Sequence, residues 1–209
     1  MKALTAEEMY EYEKSIMTDK SVPSIVLMEC AARATAKQMK QTLSQNDRIT
    51  IVAGGGNNGG DGLAVGRILH NEGFQVEILV LGNPDHYSEQ NQLQQKIAKS
   101  YGAVIKTSLE KIDFTKTTVI VDALFGIGLS RAVKGVPLQA IEKINATKQA
   151  RVYAIDVPSG ISCIEGEILG NCVMADETIT FGFYKHGMEK EKLKSSFGHI
   201  TVDDIGFYY

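Results

Sequence analysis

The spacing of apolar residues changes character twice along the chain. The first 40 or so residues show helical spacing. Thr5-Ala6-Glu7-Glu8 reads as a capping box, with Thr5 capping the helix and Glu8 reaching back. A second helical stretch, about 24–41, carries Ala31, Ala32, Ala34 and Ala36, small side chains that permit close packing against another element. From residue 49 onward, short apolar runs alternate with helical stretches. Strands are predicted at 49–53, 75–81, 118–121 and 151–155, and helices at about 60–71, 86–101 and 136–147. Val119-Ile120-Val121 and Val152-Tyr153-Ala154-Ile155 lack any polar alternation, as strands covered on both faces do. Strands alternating with helices imply right-handed βαβ units and a parallel sheet. The runs 177–181 and 199–202 add two further strands. No linker, repeat or low-complexity block divides the chain. The expectation is a single α/β domain over residues 1–209, a three-layer, Rossmann-like, doubly wound and mainly parallel sheet with an N-terminal helical extension.

Composition narrows the classes of function. The 209 residues are 44% hydrophobic and 22% charged, with a net charge of −3 and a pI near 5.8. That balance gives no electrostatic case for binding nucleic acid or an anionic membrane. The N-terminus is acidic and lacks the apolar core of a signal peptide. No apolar run approaches the roughly 20 residues that span a bilayer. Cys30, Cys163 and Cys172 form no CxxC pair, which suits free thiols in a reducing compartment, and the four histidines are scattered. A cytoplasmic location and no zinc site are expected.

The candidate chemistry sits at predicted strand ends, where open α/β sheets bind ligands. After the 49–53 strand comes Gly54-Gly55-Gly56-Asn57-Asn58-Gly59-Gly60-Asp61-Gly62, six glycines in nine residues. It satisfies a G-x-G-x-x-G pattern, but the acidic residue expected about 20 positions later is missing, and no Gly-Lys-Ser/Thr makes it a P-loop. An ordinary nicotinamide-dependent oxidoreductase is therefore disfavoured. Asp122 closes the 118–121 strand and leads into Phe125-Gly126-Ile127-Gly128-Leu129-Ser130-Arg131, a loop whose amides and Arg131 suit a phosphate. Asp156 closes the 151–155 strand and leads into Val157-Pro158-Ser159-Gly160. Ser159 lacks the Gly-x-Ser-x-Gly setting of a hydrolase nucleophile. Bland readings stand beside each: a tight turn, helix-capping aspartates, and a solvated loop with an exposed Arg131. Lys185, in Phe181-Gly182-Phe183-Tyr184-Lys185-His186-Gly187, is expected to be solvated.

Taken together, these blocks resemble the NAD(P)H-hydrate epimerase family, also called the apolipoprotein A-I-binding-protein-like family. The resemblance runs from Leu4-Thr5-Ala6-Glu7-Glu8-Met9 and Leu27-Met28-Glu29 through Gly56–Gly62, Asp122–Gly126 and Asp156–Gly160, and closes with Thr180-Phe181-Gly182, Lys185-x-Gly187 and Asp204-Ile205-Gly206. It implies interconversion of the R and S epimers of NADH or NADPH hydrated at C6 of the nicotinamide ring (NAD(P)HX). A partner dehydratase then restores the S form. By motif, Asn57, Asn58, Gly59, Gly60 and Asp61 would line the substrate. Gly126, Ile127, Gly128, Leu129, Ser130, Arg131 and Ala132 would hold its phosphate-bearing part. Asp156 would face the ring as general acid and base, so Asp156→Asn is expected to remove epimerisation while sparing the fold. Asn58, Asp122 and Ser159 would supply oxygen ligands to a potassium ion.

The resemblance also implies a homodimer, and it leaves open whether the chain stands alone or was cut from a longer protein carrying the dehydratase. Cys30 follows Glu29 where family members often have Asn, which removes an amide hydrogen bond near the pocket. The competing expectation is a non-catalytic dimerisation or scaffold domain of the same fold, which would carry a degraded pocket.

Overall fold

A computed structural model describes residues 3–207. Met1, Lys2, Tyr208 and Tyr209 lie outside the described residues, as do those ends of the predicted 1–209 domain. In chain order, the strands are β1 (Ala3–Leu4), β2 (Arg48–Ala53), β3 (Gln75–Val80), β4 (Val104–Lys106), β5 (Val119–Ala123), β6 (Arg151–Ile155), β7 (Ile161–Ser162), β8 (Glu167–Ile168), β9 (Glu177–Phe181), β10 (Tyr184–Lys185) and β11 (His199–Asp203). The α-helices are α1 (Ala6–Asp19), α2 (Ser24–Met39), α3 (Asn57–Asn71), α4 (Glu89–Ser100), α5 (Val136–Ala146) and the short α6 (Lys194–Phe197).

Seven strands form one wholly parallel sheet in the order β11-β9-β6-β5-β2-β3-β4. The order reverses at β2, whose neighbours are β3 and β5, and a doubly wound sheet opens its ligand crevice at such a switch point. One face of the sheet (Ile49, Ile51, Val76, Ile78, Val119, Val121, Tyr153, Ile155) buries against the small side chains of α2 and against α3. The other face (Val52, Leu79, Ile120, Val152, Ala154) packs on Ala140, Ile141 and Ile144 of α5. This double coverage is why runs such as Val119-Ile120-Val121 and Val152-Tyr153-Ala154-Ile155 show no polar alternation.

The Thr5 cap forms as expected. Thr5 Oγ1 accepts from the Glu8 N–H at 3.1 Å, and Glu8 Oε2 accepts from the Thr5 N–H at 2.8 Å. β1 pairs in parallel with β10, Leu4 opposite Lys185, which ties the N-terminal extension to the late loop. These two-residue strands are too short to leave a periodic signal in the sequence. Two boundaries differ from expectation in ways that matter. α3 starts at Asn57, so the Asn57–Asp61 stretch is helical. β5 runs through Asp122, which therefore lies inside the sheet.

Candidate active site

A cleft of about 670 Å³ opens at the carboxyl ends of β2, β5 and β6. Glycine is required where α3 rises from β2. A Cβ on Gly54 would lie 2.1 Å from the Leu124 carbonyl oxygen, and one on Gly59 would lie 1.9 Å from the Gly54 carbonyl oxygen. Gly56 caps α3 with no side-chain hydrogen bond, so the first helical N–H groups form an uncapped positive end of the helix dipole. Asn91 of α4, fully buried, holds the turn from behind: its Nδ2 donates to the Gly54 carbonyl at 2.9 Å and to the Gly56 carbonyl at 3.1 Å. Nothing in the sequence marked Asn91, since the contact joins residues far apart in the chain.

Asp156 directly follows β6 in a left-handed conformation, φ 67°. Aspartate is among the few side chains that adopt it, and such strain concentrates at functional sites. The backbone turn aims the carboxylate at the cleft. Oδ2 accepts from the Ile127 N–H at 3.2 Å, and Oδ1 lies 2.9 Å from Lys185 Nζ. Lys185 Nζ also donates to Thr180 Oγ1 at 2.6 Å and to the Phe181 carbonyl at 2.8 Å, and Thr180 Oγ1 donates to Asp156 Oδ1 at 3.3 Å. Lys185 is only 1% exposed. The expectation of a solvated lysine is thus corrected: the β1–β10 pairing and the Asp156 carboxylate draw it into the molecule, and a buried ammonium requires such partners. Cys163 packs nearby, its thiol pushed up to about 12 by burial and then by the Asp156 charge, with Lys185 opposing.

Asp122 lies beneath the cleft, 0% exposed. Its Oδ1 accepts from the Ser159 hydroxyl at 2.6 Å and the Leu124 N–H at 3.2 Å, and its Oδ2 accepts from the Ser159 N–H at 2.7 Å. Ser159 Oγ in turn accepts from the Phe125 N–H at 2.9 Å. Burial pushes the Asp122 carboxyl up to about 6, against the pull of the Ser159 and Leu124 donors. Both polar atoms of the Asn58 side-chain amide are buried without a hydrogen-bond partner among the described residues. The orphaned Asn58 amide oxygen, the buried Asp122 carboxylate and the Ser159 hydroxyl are oxygen donors of the kind a hard monovalent cation such as potassium takes. Among the described residues, no three His, Cys, Asp or Glu side chains gather as a metal site.

Of the residues singled out by sequence, Asn57, Asn58, Asp61, Gly126, Ile127, Gly128, Leu129, Ser130, Arg131 and Asp156 line the cleft together. Gly59 and Gly60 are buried in the α3 packing, Gly60 against Met28, and Ala132 is exposed beyond the lining. Cys30 is half-buried on α2 and is not among the lining residues. Tyr10 and Glu13 of α1, Phe125 and Phe181 complete the walls. The helical extension is therefore part of the site, which helical periodicity alone could not reveal. The loss of hydration around Asp61, followed by the charges of Asp156 and Glu13, holds its carboxyl well above the ordinary carboxylate range.

A second hollow of about 490 Å³ lies at the opposite, amino ends of β2, β3 and β4. Its Lys106 pairs with Glu77 at 2.6 Å and its Lys116 with Asp113 at 3.0 Å. It has neither the glycine turn nor the switch-point position, so the carboxyl-end cleft is the candidate site.

Comparison with known proteins agrees with this geometry. The profile of the family described as YjeF-related protein N-terminus matches residues 24–187. A protein of Limosilactobacillus reuteri named NAD(P)H-hydrate epimerase is 43% identical over 99% of this chain and 97% of its own length. A Lentilactobacillus buchneri protein of the same name is 43% identical over 99% of this chain and 95% of its own. The crystal structure of yeast ynu0 superposes with a TM-score of 0.80 at 20% identity, covering 97% of this chain and 87% of that one, a likeness of fold. A glycine turn, a buried aspartate and a strained cleft aspartate on a doubly wound sheet, matched along the whole chain by these relatives, place the protein in one group: it belongs to the YjeF-related N-terminal family, that of the NAD(P)H-hydrate epimerases.

Proposed function

We propose that this protein is an isomerase that interconverts the R and S epimers of hydrated NADH and NADPH, repairing damaged nicotinamide nucleotides together with a dehydratase that consumes one epimer. The names of relatives matched over 99% of this chain support the activity. The observation that carries the chemistry is the Asp156–Lys185 ion pair at the cleft wall, 2.9 Å long. C6 of the hydrate is a carbinolamine carbon bonded to N1. Asp156 acts there as general acid and base, protonating the departing hydroxyl or taking its proton as the C6–N1 bond opens, with return on the other face, and Lys185 with the Ile127 N–H keeps that carboxylate oriented. The uncapped first turn of α3 and the Gly126–Ala132 loop, with Arg131 at its end, would take the dinucleotide's phosphates. Walls from α1 limit water around the ring.

Asn58, Asp122 and Ser159 would hold potassium; bound there, the ion offsets the Asp122 charge and orders the loops around the substrate. A homodimer and a cytoplasmic setting belong to the same reading. Among the described residues no helix is long and apolar enough to cross a membrane.

The test is direct. The purified protein is incubated with chemically hydrated NADPH enriched in one epimer, and the epimer ratio is followed by chromatography. Equilibration much faster than the uncatalysed rate is expected, with loss of about 10² to 10⁴-fold in Asp156→Asn. A ratio that relaxes no faster than in buffer would refute the assignment.

A further inference from the structure

We propose that Asp61 is a second catalytic carboxyl group, the proton donor that works opposite the Asp156–Lys185 pair. The inference rests on the epimerase reading. Asp61 lies early in α3, half-buried, and lines the same cleft as Asp156. The surroundings of the two differ. Asp156 is met by Lys185 at 2.9 Å, the Ile127 N–H at 3.2 Å and Thr180 Oγ1 at 3.3 Å. Among the described residues, no N–H, O–H or cation is paired with the Asp61 carboxyl group, and the charged groups that act on it are the carboxylates of Asp156 and of Glu13 on α1. Tyr10 of α1, Arg131 of the Gly126–Ala132 loop and Lys185 of β10 are the other titratable groups lining the cleft, the lysine already committed to Asp156.

A carboxyl group flanked by two carboxylates and drawn partly out of water keeps its proton at pH values where an ordinary one has lost it. Two carboxyl groups in one site with opposed surroundings divide acid and base work.

The division suits epimerisation through ring opening. The Asp156 carboxylate takes the proton of the C6 hydroxyl as the C6=O bond forms. The C6–N1 bond breaks, its electron pair stays on N1, and Asp61 gives its proton to N1. Rotation about C5–C6 turns the other face of the aldehyde to N1. N1 then adds to C6 and returns its proton to Asp61, while the oxygen recovers its proton from Asp156. No water, proton or electron is left over, and both carboxyl groups end as they began.

The experiment compares pH–rate profiles of wild type and Asp61→Asn with NADPH hydrate. Thermal melting checks folding and NADPH titration checks binding. Wild type is expected to lose activity on the alkaline side as Asp61 gives up its proton. Asp61→Asn is expected to lower kcat about 10² to 10⁴-fold, to hold KM within about threefold and to lack the alkaline limb. A folded Asp61→Asn with near-wild-type kcat, or with an unmoved alkaline limb, overturns the role. Should Asp61→Asn not fold, Asp61→Glu takes its place: a shifted alkaline limb supports the role and an unmoved one overturns it. A wild-type protein without epimerase activity would overturn the functional reading itself, which keeps the two failures apart.

Discussion

Lys185 Nζ stands 2.9 Å from Asp156 Oδ1, with the lysine 1% exposed and the aspartate in a left-handed turn. The pair joins the end of β6 to β10, and through the β1–β10 pairing it couples the N-terminal extension to the cleft. A buried ion pair is worth little in net stability, but removing one partner strands the other.

Lys185→Met should therefore cost about 3–5 kcal/mol of stability and most of the activity. Asp156→Asn leaves the lysine its Thr180 and Phe181 partners, and asparagine accepts the left-handed turn. Its cost in stability should be smaller, though above zero. The double variant should be more stable than Lys185→Met alone and remain inactive. Urea unfolding of all four proteins, combined as a double-mutant cycle, reads the coupling. Additive losses would mean that the pair is not coupled in solution.

Gly126→Ala places a methyl carbon 2.9 Å from Asp156 Oδ2 and 3.3 Å from Asn58 Cγ. The carboxylate must shift, and activity should fall by at least tenfold with little change in melting temperature. Gly128→Ala, whose Cβ meets nothing within 4 Å, should melt as wild type does. Steady-state rates and melting curves of both variants check this contrast; equal activities would contradict it.

The Asp122 carboxyl, raised from 3.8 to about 6, binds a proton more tightly in the folded than in the unfolded protein. The sign follows: without a cation, its contribution favours the folded state below about pH 4 and is lost as pH rises to about 6, an amount of about 3 kcal/mol. A bound potassium ion favours the ionised carboxylate and opposes that loss. Potassium should therefore raise the melting temperature at about pH 7.5 more than sodium does, and much less at about pH 4.5, where Asp122 is protonated. Identical melting in the two salts at neutral pH would argue against the ion site.

Arg131 is exposed at the mouth of the cleft. Its attraction for phosphate is open to screening by salt. Arg131→Ala should raise KM for NADPH hydrate about tenfold at low ionic strength, with kcat nearly unchanged. The difference should shrink in about 0.5 M salt. A fall in kcat at constant KM would place Arg131 in the chemistry instead.

Much of the architecture is legible in the chain because its signals are local. Unbroken apolar runs such as Val119-Ile120-Val121 mark strands covered on both faces, and the capping box at Thr5 names the start of α1. Gly54–Gly62, Asp122 and Asp156 fall near strand ends, and a doubly wound sheet collects such ends in one crevice. The motifs alone were therefore enough to assemble most of the cleft lining.

Other features depend on segments that meet only after folding. Whether Lys185 is solvated or buried cannot be read from its neighbours, because the Asp156 carboxylate and β1 that draw it inward lie elsewhere in the chain. The same holds for the Asn91 clamp on the glycine turn and for Tyr10 and Glu13 in the cleft wall. Sequence by itself determined the α/β class, most strands of the parallel sheet and which aspartates stand at strand ends, since periodicity and glycine turns are properties of a few adjacent residues. Only the tertiary structure decided the charge environment of each carboxyl group, because desolvation and ion pairing depend on what distant segments place around it.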